Sequence, residues 1–250
     1  MVLVDAHCHL GSRQFDCDRE EVVSRMLDRG VSNAILICCS EHDLAASLPL
    51  RNNNPGFRIA CSIHPQALEL CDTEDRLESL RNAVLTYHAD MIGETGLDYY
   101  SHKHTKEVQK MFFRKQMEMA EELGLPVDIH SRRASQDTLD ILRNYRVKGI
   151  IHSYSGSVEM AQLYIKLGYY ISFGSSVLFK GAKKPAEVIA QMPADRLLIE
   201  TDAPYQSPVP GLRNEPSDVF RIYERIAEII HMNLTEVADQ VRENMDAVFS

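Results

Sequence analysis

The sequence predicts an α/β fold, a single-domain TIM (β/α)8 barrel covering residues 1–250. Three observations predict it. Short β-branched runs alternate with longer stretches of helical apolar spacing along the whole chain. Eight such units fit into 250 residues, the size of one eight-stranded barrel. Polar residues that look out of place collect at one end of the strand candidates, where such a barrel carries its site. A doubly wound parallel sheet is the rival, but the first strand lacks the Gly-rich phosphate turn that fold places after it.

The strand candidates, in order, are Val2–His9, Ala34–Cys39, Arg58–His64, Met91–Leu97, Pro126–His130, Gly149–Tyr154, Tyr170–Phe173 and Leu197–Thr201. After the first, Val22, Val23, Met26 and Leu27 share one helical face, Asp18 with Glu21 resembles a capping box, and Gly30 stands where the helix should stop. A helix around Leu44–Leu50 is expected after the second strand. Between the fourth and fifth, Met111, Phe112, Met117, Ala120 and Leu123 fall at helical spacing, ended by Gly124 and Pro126. Gly168 marks the stop before the seventh strand. No linker or low-complexity segment divides the chain, so one domain is expected.

Composition is that of an ordinary globular chain, with 44% hydrophobic and 25% charged residues, enough to bury a sizeable core. The net charge of −9 argues against a protein that grips nucleic acid through a broad basic surface. The longest apolar stretches, such as Ala34 to Cys39, are too short to cross a bilayer. The N-terminal run Met1 to His7 lacks a basic region followed by an apolar segment and a cleavage site, so a cytoplasmic protein with no membrane partner is expected. Cys8, Cys17, Cys38, Cys39, Cys61 and Cys71 show no C-x-x-C spacing, and reduced, mostly buried thiols are expected.

Strand one closes on Asp5-Ala-His7-Cys-His9, strand three on His64-Pro65, and strand four contains Glu94 and Asp98. Strand five ends at His130-Ser-Arg132, strand six at His152, and strand eight at Glu200-Thr-Asp202. His7 and His9 are two apart and share one strand face, which is the barrel interior if Val4 and Ala6 meet the helices. The set His7, His9, Glu94, His130, His152 and Asp202 mixes imidazole and carboxylate in the manner that suits Zn, Mn or Fe. Six ligands are too many for one tetrahedral catalytic ion. They fit two ions about 3.5–4 Å apart that share a carboxylate, with Glu94, from the middle of the strand order, as the bridge. A single strand-end histidine is more often a structural residue; five at four strand ends are not. His42, His88, His102, His104 and His231 fall on helical or loop stretches and are expected to be solvated.

These residues resemble the TatD family of metal-dependent hydrolases, nearly end to end. Asp5-x-His7-x-His9, Ser62-Ile-His64-Pro65, Gly93-Glu-Thr-Gly-Leu-Asp-Tyr99-Tyr100 and Leu125-Pro-Val-Asp-Ile-His130-Ser-Arg132 look like its first four signatures. Ile151-His152-Ser-Tyr-Ser-Gly156, Glu200-Thr-Asp202-x-Pro204-Tyr205 and Arg213-Asn-Glu-Pro216 follow in the right order. The resemblance implies that His7, His9, Glu94 and Asp202 hold one ion, and Glu94, His130 and His152 a second, as Mg, Mn or Zn. It implies that His64 and Arg132 face a substrate phosphate. Lys180 and Arg213, on the loops after strands seven and eight, are further phosphate candidates. Ser62 departs from the usual Gly, and Ser153-Tyr154 from the usual Cys-Phe. Asp128 shares the His130 face at a position commonly apolar, as an acceptor for an imidazole N–H or as a satisfied interior carboxylate.

The activity implied is phosphodiester hydrolysis of DNA, as an exonuclease on single strands or strand ends. Asp202 would both ligate metal and accept the proton of the attacking water, and Glu94 would join the two ions. Cleavage of an aminoacyl-tRNA ester, an amide or a lactone on the same metals is one alternative, and a non-catalytic nucleic-acid adaptor another. Strand four carries no Lys of the kind that bridges metals in many related barrels. An intact ligand set argues against an adaptor.

Overall fold

In the computed structural model, which describes residues 1–68, 73–101 and 103–250, eight parallel strands form one sheet in the order β1 to β8. They are β1 (Leu3–Cys8), β2 (Val31–Cys38), β3 (Phe57–Cys61), β4 (Met91–Asp98), β5 (Val127–Arg132), β6 (Gly149–Ile151), β7 (Tyr170–Phe173) and β8 (Leu197–Ile199). Helices α1 (Arg19–Asp28), α2 (Glu41–Asn53), α3 (Thr73–Thr86), α4 (Lys106–Leu123), α5 (Ser135–Leu142), α6 (Val158–Lys166) and α7 (Lys183–Gln191) fall between successive strands. The paired helices α8 (Val219–Ile230) and α9 (Leu234–Val248) follow the last. The result is the expected (β/α)8 barrel, nearly closed.

Closure between β1 and β8 depends on side chains as well as backbone. Asp202 N–H donates to the His7 carbonyl at 3.0 Å and His9 N–H to Ala203 at 2.7 Å. Below them the Asp5 carboxylate accepts from Thr201 N–H at 2.9 Å and Thr201 Oγ1 at 2.6 Å. The Tyr223 hydroxyl, from α8, lies 3.1 Å from both the N–H and the carbonyl of Val4. A strand edge left with buried, unpaired backbone groups would be costly, and these two side chains supply the missing partners.

The helix signals are met in most places. Gly124 ends α4 in the left-handed region at φ 66°, a conformation a Cβ would strain. The expected helix around Leu44–Leu50 is the middle of the longer α2, which starts at a Ser40 cap. One signal fails. Asp18 precedes α1 but makes no side-chain cap, because its carboxylate is held by Arg213. Several strands are also shorter than expected at the end that carries chemistry: β3 stops at Cys61, β6 at Ile151 and β8 at Ile199. There the chain leaves the ladder to present side chains at the mouth. Among the described residues, Cys8, Cys17, Cys38, Cys39 and Cys61 are free thiols, of which Cys17 is exposed; Cys71 lies outside the described residues. No helix among the described residues is long and apolar enough to cross a membrane.

Candidate metal centre

The C-terminal mouth of the barrel opens into a pocket of about 690 Å³ whose lining includes His9, His64, Glu94, His130, His152 and Asp202. Period-two alternation turns His7 inward from β1, with His9 one pleat further on. Glu94 is carried within β4 and His130 within β5. Asp202 and Ser153 take left-handed backbone, at φ 58° and 46°; a non-glycine there costs about 1 kcal/mol or more and marks sites where geometry outranks stability. Gly93 and Gly96 let β4 and β5 approach. A Cβ at Gly93 would strike Asp128, and one at Gly96 the His130 carbonyl.

The two oxygens of Glu94 face different sets of imidazoles. Oε2 lies 3.6 Å from both His7 Nε2 and His9 Nε2. Oε1 lies 2.6 Å from His130 Nδ1 and 2.8 Å from His152 Nε2. Asp202 Oδ1 completes the first set, 3.7 Å from His7 Nε2 and 3.4 Å from His9 Nε2. The 3.4–3.7 Å spacings are those of donor atoms arranged around a cation with bonds of about 2.0–2.2 Å, and the two shorter contacts of Oε1 are hydrogen-bond lengths. His7, His9 and Asp202 form one group that could hold an ion, and His7, Glu94 and His152 another that overlaps it.

The outer nitrogens of these rings show which atoms are available as ligands. His7 Nδ1 meets Asp128 Oδ1 at 3.0 Å, and His152 Nδ1 meets Glu200 Oε1 at 3.3 Å. His130 Nε2 has Asp98 Oδ2 at 3.4 Å. A proton on Nδ1 of His7 or His152 is held by these carboxylates, which leaves Nε2 of each ring as its ligand atom, while His130 turns Nδ1 toward Glu94 and Nε2 toward Asp98. His130 Nδ1 and His152 Nε2 then stand 3.2 Å apart, with Glu94 Oε1 beside both. Three lone-pair atoms converging in a buried place require a cation or added protons between them. The donor set therefore fits divalent metal.

In the protein without metal, protons meet that demand. Burial and the nearby His152 ring oppose protonation of His7, but Asp128 and Glu94 prevail and raise it to about 9. Burial likewise opposes protonation of His130 and His152, yet both are raised, with Glu94 the main cause. Burial opposes ionisation of Glu94, but His64, His152 and His130 hold its carboxyl well below the usual range. Asp202 is lowered by His9, His7 and His152 against its own burial.

The structure brings together all six residues expected to ligate metal. Asp128 is the imidazole acceptor, through His7. His64 lies close enough to Glu94 Oε1, at 3.4 Å, to be grouped with Glu94 and His130 by distance. Its Nδ1, however, accepts the Gln66 N–H at 3.1 Å, which leaves the proton on Nε2. A protonated nitrogen donates hydrogen bonds and does not ligate. Arg132 lines the pocket.

Two expected phosphate contacts are elsewhere. Arg213 donates to the Gln14 carbonyl at 2.6 Å, to Asp18 Oδ1 and Oδ2 at 2.8 and 2.6 Å and to Glu215 Oε1 at 3.0 Å, so both of its terminal nitrogens are already engaged. Lys180 is exposed and does not line the pocket. Nor do His42, His88, His104 or His231, although His42 is paired to Asp16 at 3.1 Å; His102 lies outside the described residues.

Sequence reasoning assigns no role to Asp98 or Glu200, nor to Gln206, which donates to Asp202 Oδ2 at 2.6 Å. The first two are within reach of the alternation rule. Asp98 sits four residues from Glu94 within β4, as Asp128 sits two from His130 within β5, and Glu200 sits two from Asp202 in the segment expected to extend β8.

A family model described as TatD related DNase matches residues 4–250. The chain is 38% identical over 254 residues to an uncharacterized metal-dependent hydrolase, YabD, of Bacillus subtilis, covering 99% of each. It is 33% identical to another, YcfH of Escherichia coli K12, covering 100% of this chain and 96% of that one. The crystal structure of YjjV, a TatD homologue from Escherichia coli K12, superposes with a TM-score of 0.91 at 29% identity, over 99% of this chain and 97% of that one.

Proposed function

The chain belongs to the TatD-related DNase family and is a metal-dependent hydrolase, and on that premise we propose that it hydrolyses phosphodiesters of DNA, acting on single strands or strand ends with two divalent ions. The observation that carries the proposal is Glu94, whose two oxygens address separate imidazole groups, as a carboxylate shared by two ions must. His7, His9 and Asp202 would hold one ion, and His130 and His152 the other. When bound, such ions acidify a water and polarise a phosphoryl oxygen.

The chain's own residues do the rest. Asp202 is buried and ionised, with Oδ2 accepting from Gln206, so Oδ1 is the free atom that would help hold a metal ion and could accept a proton. His64 presents an Nε2 proton into the pocket and donates to a phosphate oxygen. Arg132 presents a guanidinium, whose fork matches two phosphate oxygens. Among the described residues the lining is mostly polar and carries a single arginine, Arg132, with no lysine, which favours entry of a strand end over the gripping of a duplex surface.

The test is to strip the protein of metal, reload it separately with Mg, Mn and Zn, and supply end-labelled single- and double-stranded DNA, RNA and an aminoacyl-tRNA. Metal-dependent release of nucleotides from single-stranded DNA is expected. Cleavage that survives chelation, or a preference for the aminoacyl ester, overturns the proposal.

A further inference from the structure

Beyond the metal centre the rim carries a cluster that the ligand set does not use. Tyr100 follows β4 and is 47% exposed. The guanidinium carbon of Arg132 lies over its ring at 4.0 Å from the centroid, and that of Arg133 at 4.7 Å. Successive strand residues point to opposite faces, so two adjacent arginines do not ordinarily reach one ring. They do here because β5 ends at Arg132 and Arg133 turns into the left-handed region at φ 55°. Neither guanidinium has a carboxylate or hydrogen-bond partner among the described residues. An aromatic face steadies a guanidinium while leaving its N–H edges free.

We propose that Arg132 and Arg133, steadied by Tyr100, form a subsite for the phosphates of a single polynucleotide strand, with Arg133 taking a phosphate neighbouring the one held by Arg132. This rests on the phosphodiesterase reading and adds chain length to it as a determinant of specificity. Arg132 lines the pocket and Arg133, the next residue in the chain and exposed, does not, so the pair joins the pocket to the surface beside it, as successive phosphates of a strand leaving the centre would require. Arg133 binds substrate directly. Tyr100 is a positioning residue.

The experiment compares Arg133→Ala, Arg133→Lys, Tyr100→Leu and Tyr100→Phe with the unaltered enzyme, loaded with Mn, on decathymidylate and on the dinucleotide TpT. One charge-assisted phosphate contact is worth about 1.5 kcal/mol, so Arg133→Ala should raise the ratio of the decamer KM to the dinucleotide KM about tenfold. It should also flatten the slope of log KM against log salt by about 0.7 for the decamer. Arg133→Lys and Tyr100→Phe should restore most of the ratio, and Tyr100→Leu should not. An unchanged ratio and slope in Arg133→Ala overturn the subsite.

Should the unaltered enzyme cleave neither oligonucleotide, the phosphodiesterase reading falls by itself, and anisotropy of fluorescein-labelled decathymidylate then reads the subsite directly. Binding weakened about tenfold by Arg133→Ala supports it. Equal binding, or none by the unaltered protein, overturns it.

Discussion

Where α1 meets the segment after β8, Asp18 and Glu215 face Arg25 and Arg213; at the barrel mouth, Glu94 and Asp202 face five imidazoles. In the first region each acid has a guanidinium fork against it. Arg25 meets Glu215 with two bonds of 2.9 Å, and Arg213 meets Asp18 with two of 2.8 and 2.6 Å while lying over the Phe15 ring. In the second, no guanidinium among the described residues pairs with the acids, and the groups nearest them are imidazole nitrogens, which can hold either a proton or a metal ion. The first network is complete within the chain and ties loops together. The second is complete only when cations enter.

The largest expected effect tests the incomplete region. Glu94→Gln removes the oxygen pair shared between both imidazole groups and a full charge with it. Activity should fall about a thousandfold or more, as expected when several kcal/mol of metal-derived stabilisation are lost. The circular dichroism spectrum should not change. Metal stoichiometry by atomic emission should drop in parallel. Full activity with full metal content would mean that the two groups do not share an ion bridge.

Next comes Asp128→Asn, which keeps an acceptor for His7 Nδ1 but removes the charge behind it. Metal affinity, measured by competition with a chromophoric chelator, should weaken about 10- to 100-fold. An unchanged affinity would reduce Asp128 to an interior polar residue.

The incomplete region is the more legible of the two in the amino-acid sequence. The barrel follows from counting alternating units, and the six side chains that converge at its mouth follow because strand ends and period-two spacing are local properties. What stays hidden depends on contacts distant in sequence. Arg213 sits inside a recognisable motif, yet its role is set by Asp18, 195 residues away. Asp18 resembles a helix cap for the same reason, since nothing near it in the chain announces the arginine that takes its carboxylate. His64 is legible as a neighbour of phosphate, but only the Gln66 N–H on its other nitrogen separates a donor from a ligand.

Acidity should divide the two regions as well. His7 is held at about 9 against an ordinary 6.5, so the folded protein without metal keeps a proton that the unfolded chain gives up between those values. The stability this contributes is full below pH 6.5 and is lost as pH rises toward 9. Asp5, pushed by burial to about 7, acts in the same direction between about pH 4 and 7. Metal requires the same His7 lone pair, so its affinity should rise across the window in which metal-free stability falls. Thermal melts with chelator and with excess Mn should therefore diverge as pH increases from 6.5 to 9. Parallel curves would show that protons do not occupy the place of metal.

The smallest effect belongs to the complete region. Arg213→Ala removes the bidentate partner of Asp18 and one of the two of Glu215, leaving Arg25 to both, in a place only partly screened by solvent, since the Arg213 side chain is 26% exposed. A loss of about 1 kcal/mol in unfolding free energy is expected, at the upper end for surface pairs because the contact is bidentate and networked. Cleavage of single-stranded DNA should fall no more than a few-fold, and KM should keep its salt slope. A KM that rises as steeply as in Arg133→Ala, with that slope flattened, would return Arg213 to the phosphate-binding role its motif suggests. The contrast between a satisfied guanidinium and an available one would then fail at the point where the two arginines differ most, in whether a carboxylate already occupies their donors.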